Sequence, residues 1–110
     1  MSLNSTLKTA LESIAPTAPD VYLGDETTYI IFNYNSIPAD FGNDAPAHER
    51  YLVQVHLYCP HSVNSLSMRR SIKTALTGAG FTWPAYENAS DEEGQHHVFE
   101  CEIAQEAGAD

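Results

Sequence analysis

Apolar residues recur along the chain with two different periods, and the first of them is helical. Within residues 2–15, apolar side chains stand three and four positions apart, the spacing of one buried helical stripe: Leu3, Leu7, Ala10, Leu11 and Ile14. Ser2 or Asn4 is placed to cap this predicted helix, and Pro16 to end it. The segment APTAP at 15–19 then predicts a rigid turn.

A second helix is predicted over 62–76 (SVNSLSMRRSIKTAL). Its buried stripe is expected at Leu66, Ile72, Ala75 and Leu76, with Val63 or Met68 at one margin. Ser62 or Asn64 is placed to cap its start, and the glycines of TGAG at 77–80 to stop it.

The other period is two, which is typical of a strand with one buried face. In 50–58 (RYLVQVHLY), one face is predicted to carry Tyr51, Val53, Val55 and Leu57, and the other Leu52, Gln54, His56 and Tyr58. The segment 96–104 (HHVFECEIA) alternates in the same way, with His97, Phe99, Cys101 and Ile103 on one face.

Three further segments have strand composition. TYIIFNY at 28–34 is rich in aromatic and β-branched residues and is apolar on both faces, which favours a place in mid-sheet. VYLG at 21–24 is a candidate short strand, and FTWPAYENA at 81–89 one that Pro84 breaks or confines to an edge. SDEEGQ at 90–95 is predicted to be a turn.

The remaining segments are predicted to be irregular. Residues 35–49 hold two prolines, a glycine and three acidic residues, and indicate a long mobile loop; residues 105–110 indicate a frayed tail. The whole chain, 1–110, is then a single α+β domain with the order α-β-β-β-α-β-β. We expect a mostly antiparallel sheet of four to five strands with both helices on one face.

Charge limits the classes of partner. The chain has 110 residues, 43 % of them hydrophobic, and fifteen Asp and Glu against five Lys and Arg give a net charge of −10. Proteins grip nucleic acid and anionic membranes mainly through Lys and Arg, so neither is an expected partner. The N-terminus lacks a signal-peptide pattern and no apolar run approaches membrane-spanning length, so folding in the cytoplasm is expected.

Cysteine and histidine suggest a zinc site that strand geometry argues against. The candidate ligands are Cys59 and His61, with His97 and Cys101. On a strand, two residues four apart are separated by about 13 Å, too far to share one tetrahedral zinc ion. Cys101 is better explained as a small buried hydrophobe and Cys59 as part of a strand-end turn. No metal or cofactor is expected.

Catalysis is not expected either. Cys59 and His61 are a thiol and an imidazole, but catalytic dyads normally converge from separate elements. The sequence holds no G-x-S-x-G, no phosphate-binding glycine loop and no H-E-x-x-H.

The distribution of charge points to contacts between subunits. Three of the five cations lie within five positions on the second predicted helix, and Arg69 and Lys73 share one face of it. We expect Arg69, Arg70 and Lys73 to meet an acidic surface of another subunit or partner, where they would set the register of the contact. Candidate acids are Asp40, Asp44, Glu49, Glu87, Asp91, Glu92 and Glu93. A solvated helix face and solvated loops are the simpler interpretation of each residue taken alone.

The order of elements resembles a known family. A short amphipathic helix, the strand TYIIFNY, the strand YLVQVHLYCP, the helix SLSMRRSIKTALTGAGF, the acidic stretch AYENASDEEG and the strand HHVFECEIA follow one another from about Leu3 to Ala104. This order resembles the tail-completion proteins of siphophages and prophages, which are tail terminators and tail-to-head joining proteins.

The resemblance implies a non-enzymatic structural protein of the virion neck. It implies a homo-oligomeric ring, usually hexameric, that assembles in the host bacterial cytoplasm and caps the tail tube or joins it to the head. Its partners would be the tail tube protein and the head-completion protein. DNA would pass through the ring without being bound, which suits an acidic chain.

Two other classes stay open. An acidic monomeric module that mimics nucleic acid and inhibits a DNA-binding protein would bind a basic partner with strong salt dependence. A metalloprotein would carry stoichiometric zinc, and would require residues 96–104 not to be a strand.

Overall fold

The structure of the chain, a computed structural model, describes residues 2–42 and 45–106. Within them lie the elements α1 Leu3–Leu11, β1 Thr17–Pro19, β2 Tyr29–Gly42, β3 Ala45–Cys59, α2 Leu66–Gly78, β4 Ala85–Asn88 and β5 Gln95–Glu106. The strands form one sheet in the order β1-β2-β3-β5-β4, in which only the β1–β2 pair is parallel. The predicted α+β class and order of elements are confirmed.

Both helices pack on one face of the sheet, and the strand alternation decides which side chains meet them. The predicted inward residues of β3, namely Tyr51, Val53, Val55 and Leu57, are all buried. The antiparallel register sets Val55 opposite Phe99 of β5 and opposite Phe32 of β2, so three strands contribute to one layer. These side chains form a single core cluster with Leu3, Leu7 and Leu11 of α1 and Ile72 and Leu76 of α2.

Helix α1 begins as predicted and ends earlier. The Ser2 hydroxyl accepts a hydrogen bond from the Ser5 backbone N–H at 3.1 Å, which caps the first turn. The helix ends at Leu11 rather than near Pro16, because the Ile14 N–H bonds to the Leu11 carbonyl in a tighter turn.

Helix α2 begins later than predicted. Leu66 is its first residue and is 49 % exposed, so the expectation that Leu66 belongs to the buried stripe is wrong. The N-cap position is held by Ser65 rather than by Ser62 or Asn64, although the Asn64 side chain accepts a hydrogen bond from the Leu66 N–H at 3.2 Å. The stripe consists of Ile72 and Leu76, with Met68 and Ala75 half-buried beside them.

The predicted glycine stop of α2 is confirmed in detail. Gly80 has a φ of 102°, a left-handed conformation that glycine adopts without strain. Its N–H bonds to the Thr77 carbonyl, and the Phe81 N–H bonds to the Leu76 carbonyl. This pair of bonds is a Schellman cap, completed by the buried side chains of Phe81 and Leu76.

The irregular loop predicted at 35–49 is wrong for residues 35–42 and 45–49, and residues 43 and 44 lie outside the described residues. Residues 35–42 continue β2 and residues 45–49 begin β3, paired in register as far as Gly42 opposite Ala45. Pairing along the whole hairpin, together with β5 on the other side of β3, outweighs the turn-forming composition that suggested a loop. A strand of 14 residues spans about 46 Å at about 3.3 Å per residue. The long dimension of the chain, 54 Å against 24 and 23 Å, accordingly follows the strands.

Two smaller expectations are also corrected. The first strand is Thr17–Pro19, inside the segment predicted to be a turn, while 21–24 forms no strand and leaves Leu23 90 % exposed. Asp20 turns the chain between them with a φ of 62°. At the C-terminus, β5 includes residues 105 and 106 of the predicted frayed tail, and 107–110 lie outside the described residues.

Neither helix of the described chain has the length and apolar character needed to cross a membrane.

Candidate functional site

Five rings form a row on the sheet face that the helices leave uncovered. This ring row consists of Tyr22, Tyr29, Tyr58, His96 and His56. Tyr29, Tyr58 and His96 are direct neighbours across β2, β3 and β5, and their ring centroids lie 5.2 and 4.3 Å apart. Tyr22, from the loop before β2, stacks on Tyr29 at 4.5 Å. The sheet register therefore holds the row in place.

The two histidines of the ring row share one hydrogen bond. His56 Nδ1 and His96 Nε2 lie 2.8 Å apart, so one of these nitrogens donates and the other accepts. Burial lowers the pKa of His56, and the nearby His96 lowers it further. Burial also lowers the pKa of His96, against the opposing effect of the Asp91 carboxylate. Both rings are therefore held in their neutral form.

Acidification is expected to destabilise the folded chain through these imidazoles. The folded-state pKa of His56, His96 and the buried His97 lies below the ordinary value of 6.5, so the unfolded chain binds protons first. The contribution of these neutral histidines to stability is fully present above about pH 6.5, and it is lost as the pH falls towards their folded-state pKa values. Urea unfolding at a series of pH values measures this slope.

The variants His56→Gln and His96→Gln should each make that slope shallower, because each removes one group that takes up a proton on unfolding. A wild-type stability that rises as the pH falls through 6.5 would contradict the neutral pair.

A recess of about 550 Å³ opens beside the ring row, at the end of the sheet where β2 and β5 begin and β3 ends. Tyr29, Tyr58 and His96 line one side of it. Three exposed acidic residues, Glu26, Asp91 and Glu93, also border it. The remaining lining residues are Thr27, Cys59, Pro60, Gly94 and Gln95. We call this cavity the ring-row recess. Its aromatic side and acidic rim suit a cationic group.

A second polar assembly lies on the helix side, around Gln95. The Gln95 side-chain NH₂ donates to the Pro60 and Val63 carbonyls, at 2.9 and 2.7 Å. Its oxygen accepts from the Ser65 hydroxyl at 2.7 Å and lies 2.8 Å from His97 Nε2. Gln95 therefore ties the turn after β3 and the start of α2 to β5.

These contacts determine the tautomer of His97. Because the Gln95 oxygen can only accept, His97 Nε2 must carry the proton. Nδ1 then accepts, and the Tyr86 hydroxyl donates to it at 2.7 Å. The Tyr86 oxygen in turn accepts from an Arg69 guanidinium N–H at 2.9 Å. Burial, the nearby Arg69 and His96 all lower the pKa of His97, which agrees with a neutral ring.

The three predicted contact cations have different surroundings. Arg69 and Lys73 both lie over the Tyr86 ring of their own chain, with the Arg69 guanidinium carbon and Lys73 Nζ 5.7 and 5.2 Å from its centroid. Arg70 is exposed, and its side chain forms no hydrogen bond or ion pair with the described residues. Of the three, Arg70 is thus the one available to a partner, and the expected role of all three in subunit contacts stays a prediction.

The predicted acidic residues are spread over three places. Asp40 lies in β2, Asp44 lies outside the described residues, and Glu49 accepts a hydrogen bond from the Tyr51 hydroxyl at 3.0 Å. Glu87 is exposed on the edge strand β4. Asp91, Glu92 and Glu93 form the β4–β5 turn, where Asp91 Oδ1 accepts from the Glu93 backbone N–H. Only this turn borders the ring-row recess.

Both cysteines are buried and unpaired. Burial raises the pKa of the Cys101 thiol to about 12, and burial likewise raises that of Cys59. In the part of the chain that the structure describes, no three His, Cys, Asp or Glu side chains are grouped to hold a metal ion. Of the suggested zinc ligands, His97 is bound to Gln95 and Tyr86, and His61 Nε2 lies 2.7 Å from the Asp91 carbonyl oxygen.

A scan of the chain against protein-family models finds no match, and a search of curated proteins finds none.

Sequence reasoning missed both assemblies. It considered His97 as a candidate zinc ligand and gave His96 no role, whereas His97 is buried in a hydrogen-bonded network and His96 belongs to the ring row. A usable signal was present, since Tyr58 and His96 both fall on the predicted outer faces of their strands. The register between β3 and β5, which sequence alone does not supply, was needed to bring them together.

Proposed function

We propose that the chain is an assembly protein of a phage or prophage tail. It forms a homo-oligomeric ring that caps the tail tube, joins the tube to the head, or does both. In the virion it lies in the neck, in contact with the tail tube protein and the head-completion protein.

The observation that carries this proposal is the uncovered face of the sheet. A sheet with one face packed on helices commonly exposes polar side chains on the other. Here the other face carries the ring row, and beside it Leu52 and Trp83 are 36 % and 64 % exposed. Apolar and aromatic surface of this kind marks a site of contact with another protein.

Charge and shape support a ring through which DNA moves. A net charge of −10 on each subunit repels the phosphate backbone, so DNA would pass without adhering. The long β2–β3 hairpin extends the sheet along the 54 Å dimension, as suits an elongated subunit of a ring.

The proposal is tested by the assembly state of the purified chain. Sedimentation velocity and negative-stain microscopy should show rings, either of the chain alone or after tail tube protein is added, and addition should stop tube growth. A gene position among capsid, connector and tube genes is also expected. A chain that stays monomeric and leaves tube growth unchanged would overturn the proposal.

The net charge also favours the second candidate, an acidic inhibitor that mimics nucleic acid. This candidate predicts a monomer or dimer that binds a basic DNA-binding protein, with an affinity that falls steeply as salt is raised. The same sedimentation experiment separates the two, because only the tail protein forms rings.

A further inference from the structure

Arg70 is a cation without a counter-charge on a chain that has an excess of acids. It projects from α2, is exposed, and contacts no carboxylate of the described residues. Its neighbours Arg69 and Lys73 are already engaged with Tyr86. With fifteen acidic residues against five basic ones, an intramolecular partner would have been easy to supply.

The ring-row recess presents the complementary situation. Glu26, Asp91 and Glu93 border it, and none of the three forms an ion pair with a cation of the described residues. The Tyr29 and Tyr58 rings line the opposite side. A guanidinium group combines a planar surface that packs on aromatic rings with five N–H donors for carboxylates, so this recess suits an arginine.

Arg70 and the rings that line the recess lie on opposite sides of the sheet. Helix α2 packs on one face, whereas Tyr29, Tyr58 and His96 point from the other, because they alternate with the buried Ile30, Leu57 and His97. A contact between two different surfaces is heterologous and repeats from copy to copy, and it forms a ring when the rotation between successive copies closes. The two halves therefore belong on successive subunits.

We propose that Arg70 of one copy of the chain inserts its guanidinium into the ring-row recess of the next copy. This inference rests on the proposed ring and names its subunit contact. The carboxylates of Glu26 and Glu93 receive the guanidinium N–H groups, and the tyrosine rings pack against its plane. Such a charged contact sets the register between subunits more than it supplies affinity.

The test is a charge exchange measured by sedimentation equilibrium on the full chain. Arg70→Glu and Glu93→Arg should each lower the association constant between subunits on the order of tenfold or more, because each variant places like charges next to one another in the contact. The double variant should recover most of the loss, because the pair is restored with its signs reversed. Both side chains are exposed, and circular dichroism verifies that each variant is folded.

Lys8→Glu is the matched control. Lys8 is also an exposed cation on a helix, and its reversal changes the net charge by the same amount as Arg70→Glu. The association constant of Lys8→Glu should lie within about threefold of the wild-type value if the contact is specific to Arg70.

The outcomes separate this inference from the proposed function. If the wild type forms rings and Arg70→Glu does not weaken them, the Arg70 contact is overturned and the proposed ring stands. The same conclusion follows if Lys8→Glu weakens assembly as much as Arg70→Glu does. If Arg70→Glu weakens assembly and adding Glu93→Arg does not restore it, the ring-row recess is not the binding site of Arg70. A wild-type chain that forms no ring under any condition overturns the proposed function itself.

Discussion

Replacing Phe99 with alanine is expected to lower the free energy of unfolding by about 3–5 kcal/mol. Phe99 is completely buried, lies opposite Val55 at the centre of the sheet and contacts the Tyr86 ring. The substitution removes a large side chain from a layer to which β2, β3 and β5 all contribute, and the strands cannot close the gap without losing their register. Urea unfolding followed by circular dichroism measures the loss.

Trp83→Ala is the control for this prediction. Trp83 is the only tryptophan of the chain and is 64 % exposed, so its removal should change the stability of the monomer by less than about 1 kcal/mol. The comparison separates burial from the mere loss of an aromatic ring. A cost for Phe99→Ala no larger than that for Trp83→Ala would contradict the placement of the core.

The core could be predicted because its signal is local. Alternation in 50–58 and 96–104 identified the inward residues of β3 and β5, and spacings of three and four identified the three leucines of α1. Each of these patterns lies within one element and follows from its own period. The glycine stop of α2 was equally local, since Gly80 is required by a single left-handed position.

The errors arose where pairing with another strand decided the structure. Residues 35–42 and 45–49 carry two prolines, an aspartate and a glycine, and only their ladder between β2 and β3 makes them strands. Thr17–Pro19 has the composition of a turn and becomes β1 because Pro16 and Phe32 supply backbone acceptors at the right places. Local propensity cannot show such partners.

The candidate site divides along the same line. The grouping of Arg69, Arg70 and Lys73 was visible in the sequence, because all three lie on one helix. The sequence could not show that Arg69 and Lys73 contact Tyr86 while Arg70 does not, because Tyr86 lies in β4, thirteen or more positions away along the chain. The ring row and the contacts of Gln95 likewise depend on β3 and β5 being paired in one register.

Gln95→Glu is expected to cost about 2–4 kcal/mol at neutral pH, although it changes a single NH₂ group to an oxygen. That NH₂ group donates to the Pro60 and Val63 carbonyls, and a carboxylate would replace both hydrogen bonds with repulsion between oxygens. Urea unfolding compares the variant with wild type. The repulsion should also raise the pKa of the new carboxyl group, so acidification protonates it and narrows the difference from wild type.

Gln54→Glu distinguishes this effect from that of an added negative charge. Gln54 is exposed on the uncovered face of β3, opposite Glu100 of β5, so its replacement should cost no more than about 1 kcal/mol through repulsion between the two carboxylates. Equal costs for the two variants would contradict the orientation of the Gln95 amide, and with it the tautomer of His97. A large cost at Gln95 that shrinks on acidification identifies the NH₂ group as the element that holds the turn after β3 to the sheet. That turn leads into α2, the helix that presents Arg70.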